Sequence, residues 1–277
     1  RKEHVISAPD VGNIYELPLV FFDQQLDTQL LDILKIWTGK ANLGPWRGML
    51  KRWKDAPTQL TIAIVGKYVH LTDTYKSLNE ALHHAGIPLD CSVKLKYVDS
   101  ETLCEANQAE NLSDVDGILV PGGFGERGVE GKICAIRYAR ENQMPFFGIC
   151  LGMQLAVIEY ARTVVGWKDA NSREFNDKSK HLVIDLMDEQ RNVTDKGGTM
   201  RLGAYPCVLS ESSKAQQVYG TTEISERHRH RYEVSSKWAE QLTAGGLTIS
   251  GRSPDGKLAR LRIRGKINLA RLAGSPP

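Results

Sequence analysis

From residue 60 onward, short β-rich apolar runs alternate with stretches of helical period, and this alternation constrains the fold more than any other feature. Residues 60–65 (LTIAIV) form a strand-like run that ends at Gly66, and residues 74–85 follow as a helix with Leu78, Ala81, Leu82 and Ala85 at helical spacing. Residues 92–98 alternate as a strand, and residues 117–120 read as a short buried strand stopped by Pro121-Gly122-Gly123. Residues 131–142 are helical again, residues 145–150 (PFFGIC) read as a buried strand, and residues 151–164 as a mostly apolar helix. Further strands are expected at 181–186, 205–209 and 247–250. The class is α/β, with an open, mostly parallel sheet flanked by helices.

One strand-to-helix junction carries chemistry. Gly148-Ile149-Cys150-Leu151-Gly152 is G-x-C-x-G, the cysteine form of a nucleophile elbow. Such a turn is too tight for side chains on both flanks, so glycines stand two residues either side of the cysteine. The thiol then projects above the sheet at a helix N-terminus, where the dipole favours thiolate. The Leu151 N–H points to where an oxyanion would form. Residues 121–125 (PGGFG) follow the preceding strand and so lie at the same carboxyl edge of the sheet, the edge at which open α/β sheets bind ligands. The competing account, a structural cysteine beside an ordinary glycine-rich turn, needs both loops to coincide on neighbouring strands by chance. There is no G-x-x-x-x-G-K-[ST], so the sequence offers no P-loop argument for ATP.

Composition narrows the partners. The chain has 277 residues, 41% hydrophobic and 25% charged, as expected of a core-burying protein. No apolar run approaches the roughly 20 residues of a membrane-spanning helix, so no membrane partner is expected. The net charge of +3 is misleading, because residues 257–277 hold six bases and no acid; without those six, 30 bases face 33 acids. No nucleic-acid partner is expected from that balance. The five cysteines (Cys91, Cys104, Cys134, Cys150, Cys207) show neither CxxC spacing nor disulfide-scaffold density, which fits a reducing cytoplasm. The opening Arg1-Lys2-Glu3-His4 reads as an internal start. Residues 1–45 contain a Pro-punctuated extended stretch and a short amphipathic helix near 30–37, too little to bury a core of their own. Residues 46–59 read as a linker around a helix bearing Trp46 and Trp53, which are expected to pack it against a domain.

Residues 121–125 followed by 148–154 (GICLGMQ) resemble the class I, triad-type glutamine amidotransferases. Three further stretches, 169–175 (DANSREF), 197–203 (GGTMRLG) and 226–234 (ERHRHRYEV), resemble the glutaminase domain of the CTP synthase family. The match runs in order from about residue 60 to residue 252. The resemblance implies a flavodoxin-like glutaminase fold, with residues 1–45 as the end of a synthetase domain, 46–59 as linker, 60–258 as the amidotransferase domain and 259–277 as an atypical basic tail. It implies that Cys150 attacks the glutamine amide, that Gly123 and Leu151 hold the oxyanion, and that glutamine is bound by Gly123, Leu151, Gln154, Glu174 and Arg231. Ammonia would pass to a synthetase domain that uses ATP, Mg and UTP to make CTP, in a cytoplasmic homotetramer; no cofactor and no metal is expected in this chain itself.

The chain departs from the family at its catalytic end. A cysteine nucleophile of this kind needs a base, usually His, oriented by a carboxylate, and the family takes both from a Phe-His-Pro-Glu-type turn near the C-terminus. Here the last His is His230, the last Glu is Glu240, and residues 259–277 are basic with no clear period. The expectation favoured by the sequence is a frameshifted or mis-spliced end with little or no glutamine hydrolysis. A second reading is a non-catalytic module that binds glutamine or a partner. The third, rescue by His228 or His230, is weakest on sequence grounds. If residues 227–232 form a strand, Arg227, Arg229 and Arg231 share one face and the two histidines the other, so Arg231 faces a ligand only if the histidines face away. His228-x-His230 could hold a metal, but no third ligand cluster lies near it in sequence, so packed or solvated histidines are expected.

Overall fold

The computed structural model describes residues 5–186, 201–254, 256 and 259–262. By their contacts these fall into two units, one of residues 1–60 and 77–93, the other of residues 61–76 and 94–277.

The first unit contains the helices α1 (Leu17–Asp23), α2 (Leu26–Leu34), α3 (Gly44–Lys54) and most of α4 (Lys76–Gly86). It is organised round Tyr15. The Tyr15 hydroxyl donates to Glu80 at 2.9 Å and lies 2.8 Å from His84 Nε2, while its carbonyl accepts from Trp46 Nε1 at 2.8 Å. The Trp53 ring sits 5.5 Å from that of Tyr15 and stacks on His83 at 5.8 Å. The tryptophans and the His83-His84 pair thus serve packing within this unit.

The second unit follows the alternation of the sequence. Strands β1 (Thr58–Gly66), β2 (Cys91–Asp99), β3 (Gly117–Val120) and β4 (Phe146–Gly148) form a sheet in the order β2-β1-β3-β4, with β1/β3 and β3/β4 parallel. Residues 62–66 of β1 and all of β3 are buried, as their unbroken apolar character requires. β4 is a correction: expected as a buried strand through residue 150, it stops at Gly148, and it lies last in the sheet order, so Phe147 is 55% exposed.

Between the strands run α5 (Gln108–Leu112), α6 (Val129–Glu141) and α7 (Leu151–Tyr160), the last continuing as a π turn over Ala161–Val165. Helix α7 has almost no polar face because it meets β3 and β4 as well as β5 (Asn171–Ser172), β6 (Leu182–Leu186) and β9 (Tyr232–Val234). A helix covered on several sides is apolar all round. The core joins Ala63, Ile118, Val120, Ile136, Leu155 and Ile158.

A three-stranded sheet of order β5-β6-β9 covers α7, with β5/β6 parallel and β6/β9 antiparallel. An antiparallel ladder joins β7 (Arg201–Leu209) and β8 (Glu223–His230) in a sheet of order β11-β10-β7-β8, completed by β10 (Thr248–Arg252) and β11 (Ala259–Arg262). Residues 259–262, read from sequence as part of a tail without a period, therefore form a strand. They pair with β10, since an apolar-basic alternation fits one side of an antiparallel ladder. Residues 197–200 of the GGTMRLG motif and 263–277 of the basic tail lie outside the described residues. Among the described residues no helix is long and apolar enough to cross a membrane.

Candidate functional site

All of the site described here lies in the second unit. Cys150 is the N-cap of α7 and has φ 53° and ψ −107°, a conformation that non-glycine residues adopt only under constraint. The constraint is visible on both sides. A Cβ at Gly152 would lie 2.1 Å from the Val120 carbonyl oxygen, and one at Gly148 would lie 2.6–2.7 Å from the Gly152 and Met153 backbone. Strand, turn and helix approach closer than any side chain allows, so the sequence spends glycine at both positions.

The PGGFG loop closes over the thiol. A Cβ at Gly122 would stand 3.3 Å from Cys150 Cβ and 3.8 Å from its Sγ, and one at Gly123 would touch Leu151 at 3.5 Å. In the turn itself, the Ile149, Gly152 and Gln154 amides donate to Val120, Ile149 and Cys150 carbonyls. The Gly123 and Leu151 amides donate to no partner among the described residues.

Gln154 and Glu174 are held nearby by main-chain bonds. Gln154 is buried and its Nε2 donates to the Tyr232 carbonyl at 2.8 Å; Glu174 Oε1 accepts from the Gly125 amide at 2.8 Å. Burial, and after it the charge of Glu174, raise the Tyr232 phenol, while Arg231 and Arg173 pull the other way. Glu174 and Arg231 thus lie in the electrostatic reach of one ring, and Arg173 is itself committed to Asp185 through Nη2 at 3.1 Å.

The histidines overturn a condition set by the sequence. Strand β8 ends at His230, the chain bends at Arg231, and β9 begins at Tyr232. Along β8, Ile224, Glu226, His228 and His230 lie on the less exposed side, whereas Glu223, Ser225 and Arg227 are exposed. The alternation rule therefore does not reach Arg231, and histidines facing inward do not force it away from the site.

His230 stands at the end of β8. Its Nδ1 lies 3.2 Å from Glu233 Oε1 and 3.1 Å from His228 Nδ1, and the His228 ring meets Tyr205 edge-on at 5.8 Å. Cys150 first and then Glu233 push His230 up to about 10, against the opposing effect of burial. The sequence expectation that His228 and His230 have no third ligand-type neighbour is also corrected. Ligand-capable atoms of His228, His230 and Glu233 lie within 4.8 Å of one another, because the bend at Arg231 folds Glu233 back on the end of β8. Glu233 and Tyr232 were passed over in the sequence; the available signal was the His-Arg-Tyr-Glu spacing across a strand end.

Elsewhere, a cavity in the first unit is lined by Pro45, Gly48, Met49, Arg52, Ile87 and Pro88. Arg52 is paired with Asp90 at 3.0 Å, so the lining offers neither a nucleophile nor a carboxylate.

The family model described as glutamine amidotransferase class-I matches residues 70–268. Two proteins named CTP synthase are similar in sequence: that of Syntrophus aciditrophicus is 54% identical over 93% of this chain and 48% of its own length, and that of Nitratidesulfovibrio vulgaris 51% identical over 94% and 50%. The chain thus spans about half the length of these relatives. A solved structure, the glutaminase domain of Trypanosoma brucei CTPS with bound acivicin, is 44% identical with a TM-score of 0.66, over 74% of this chain and 79% of that one. The cysteine elbow, the loop against it and these matches agree: the chain belongs to the class I glutamine amidotransferases, in the branch formed by the glutaminase domain of CTP synthase.

Proposed function

We propose that this chain binds glutamine over Cys150 and hydrolyses its side-chain amide to glutamate and ammonia. The observation that carries the reading is Cys150 itself, strained at the head of α7, with the Gly123 and Leu151 amides unengaged among the described residues. The thiolate attacks the amide carbon, and the carbonyl oxygen takes the charge and accepts from the two amides. The proton the thiol gave up passes to the departing nitrogen, so collapse expels ammonia and leaves a thioester, which water opens to glutamate with the thiol restored. The Glu174 carboxylate suits the α-ammonium and the Arg231 guanidinium the α-carboxylate. Gln154, tied to the Tyr232 carbonyl, is the further glutamine-binding residue in this reading.

In the longer enzyme, ammonia would be passed to a synthetase domain and used to aminate UTP to CTP at the expense of ATP, within a homotetramer. The donor set at Cys150, made of a thiol, an imidazole, carboxylates and amides, fits an amino-acid amide and does not fit a triphosphate. ATP, Mg and UTP are accordingly assigned to the synthetase domain.

The expectation of little or no turnover rested on the lack of a Phe-His-Pro-Glu-type turn. What weighs against it is the influence of Cys150 on His230, the first cause of that imidazole's raised pKa. The test is ammonia release from glutamine by the purified chain with Cys150→Ala beside it: release abolished by the substitution supports the reading. Protection of Cys150 from alkylation by glutamine, without release, would instead favour a non-catalytic glutamine-binding module.

A further inference from the structure

We infer that His228, His230 and Glu233 form a binding site for one zinc ion, a clip that joins the end of β8 to β9. Each residue offers a donor of the kind zinc takes, an imidazole nitrogen or a carboxylate oxygen. One such atom from each lies within 4.8 Å of the other two. Two separations are tighter: His230 Nδ1 is 3.1 Å from His228 Nδ1 and 3.2 Å from Glu233 Oε1. Ligand bonds of about 2.0–2.2 Å in a tetrahedral shell set the donor atoms about 3.3 Å apart. Two of the three edges of such a shell therefore already stand near their final length.

The cluster is assembled by two different pairings. His228 and His230 stand two residues apart on β8 and so share a face, and the pairs Gly203↔His228 and Arg201↔His230 fix both against β7. Gly203, opposite His228, adds no side chain to that face. Glu233 comes from β9, where it lies opposite Asp185 on β6. A continuous strand would put residues 230 and 233 on opposite faces; the change of sheet at Arg231 brings the carboxylate to the imidazoles. The cluster is also shielded from water. His228 and Glu233 are buried, the His230 side chain is 16% exposed, and the Tyr205 ring meets that of His228 edge-on.

Hydrogen bonding alone serves these three groups incompletely. A carboxylate only accepts, and each Nδ1 either donates or accepts. One hydrogen on His230 Nδ1 cannot lie along both of its short lines. A hydrogen on His228 Nδ1 aimed at His230 instead leaves a nitrogen lone pair facing Glu233. A cation between them takes a lone pair from all three at once. The proton held between the groups then passes to solvent, and three protein ligands leave a fourth position of the tetrahedron to water. Two imidazoles select zinc over magnesium or calcium, which take oxygen ligands. Arg231 lies between two of the ligands in sequence, so the ion fixes the bend that carries it.

The test titrates zinc into the chain, purified without a polyhistidine tag, in competition with a chromogenic chelator. One zinc per chain is expected. Affinity should fall by more than about 100-fold in His228→Asn and in Glu233→Gln, since even outer-shell partners of a metal are worth about 10–100-fold. It should stay within a few-fold in Cys150→Ala. The readout is the metal itself, so the result holds whether or not the chain hydrolyses glutamine. No zinc bound, affinity unchanged in His228→Asn and Glu233→Gln, or binding lost in Cys150→Ala overturns the inference. Should the variants not fold, X-ray absorption at the zinc edge of the loaded, unsubstituted chain decides. A shell of nitrogen and oxygen at about 2.0–2.2 Å with imidazole scattering supports the site, and sulfur at about 2.3 Å overturns it.

Discussion

Cys150 is held at φ 53° by the absence of side chains around it as much as by any bond. A backbone of this kind costs on the order of 1–3 kcal/mol and persists only where its surroundings over-determine it. Gly152→Ala is the sharpest probe, because the new Cβ would stand 2.1 Å from the Val120 oxygen and 2.9 Å from its carbonyl carbon. That contact is with backbone and cannot be relieved by a rotamer. The substitution is expected to cost about 2 kcal/mol or more, read from urea unfolding, and to abolish ammonia release. Gln154→Leu removes the donor to the part-buried Tyr232 carbonyl and is expected to cost about 1 kcal/mol while raising KM for glutamine more than it lowers kcat. The elbow was legible in the sequence because its glycines answer to local sterics. His230 and Glu233 were not, because their meeting depends on which strand each one pairs with, and a single-strand reading placed them on opposite faces.

At the scale of elements, α6 and α7 are joined by a buried ion pair. Arg140 Nε lies 3.1 Å from both Glu159 carboxylate oxygens and its Nη2 2.8 Å from Oε1, with Glu159 fully buried. Thr163 donates to the same carboxylate at 2.7 Å. Arg140→Met would strand a buried carboxylate and is expected to cost about 3–5 kcal/mol, whereas Arg140→Met with Glu159→Leu should recover most of it. A urea series on the two single variants and the double variant checks this; equal losses in single and double variants would contradict it. The strands and helices of residues 60–164 were largely legible because each buried run is continuous and bounded by glycine or proline. β4 came out shorter and more exposed than read, since its place at the end of the sheet order is a matter of topology. The division between β8 and β9 was illegible for the same reason: no residue of 226–234 breaks a strand by itself, and only the rival pairings with β6 and β7 do so.

For the whole molecule, the raised His230 links folding to pH. Its value of about 10 stands above the ordinary 6.5, so the stabilisation it provides is complete below about 6.5 and fades as pH rises towards 10. Urea midpoints of the unsubstituted chain should therefore fall between pH 7 and pH 10, and the fall should be smaller in His230→Asn. Asp169 works in the opposite direction. Its bond from His181 Nδ1 at 2.6 Å is the main cause that holds it at about 2, below the ordinary 3.8, so its contribution is present above 3.8 and lost as pH falls towards 2. The measurement closest to the central claim is ammonia release from glutamine by the folded chain, run beside Cys150→Ala. The account predicts release that disappears with the thiol. Release that survives Cys150→Ala, or no release from a chain shown to be folded, would contradict it.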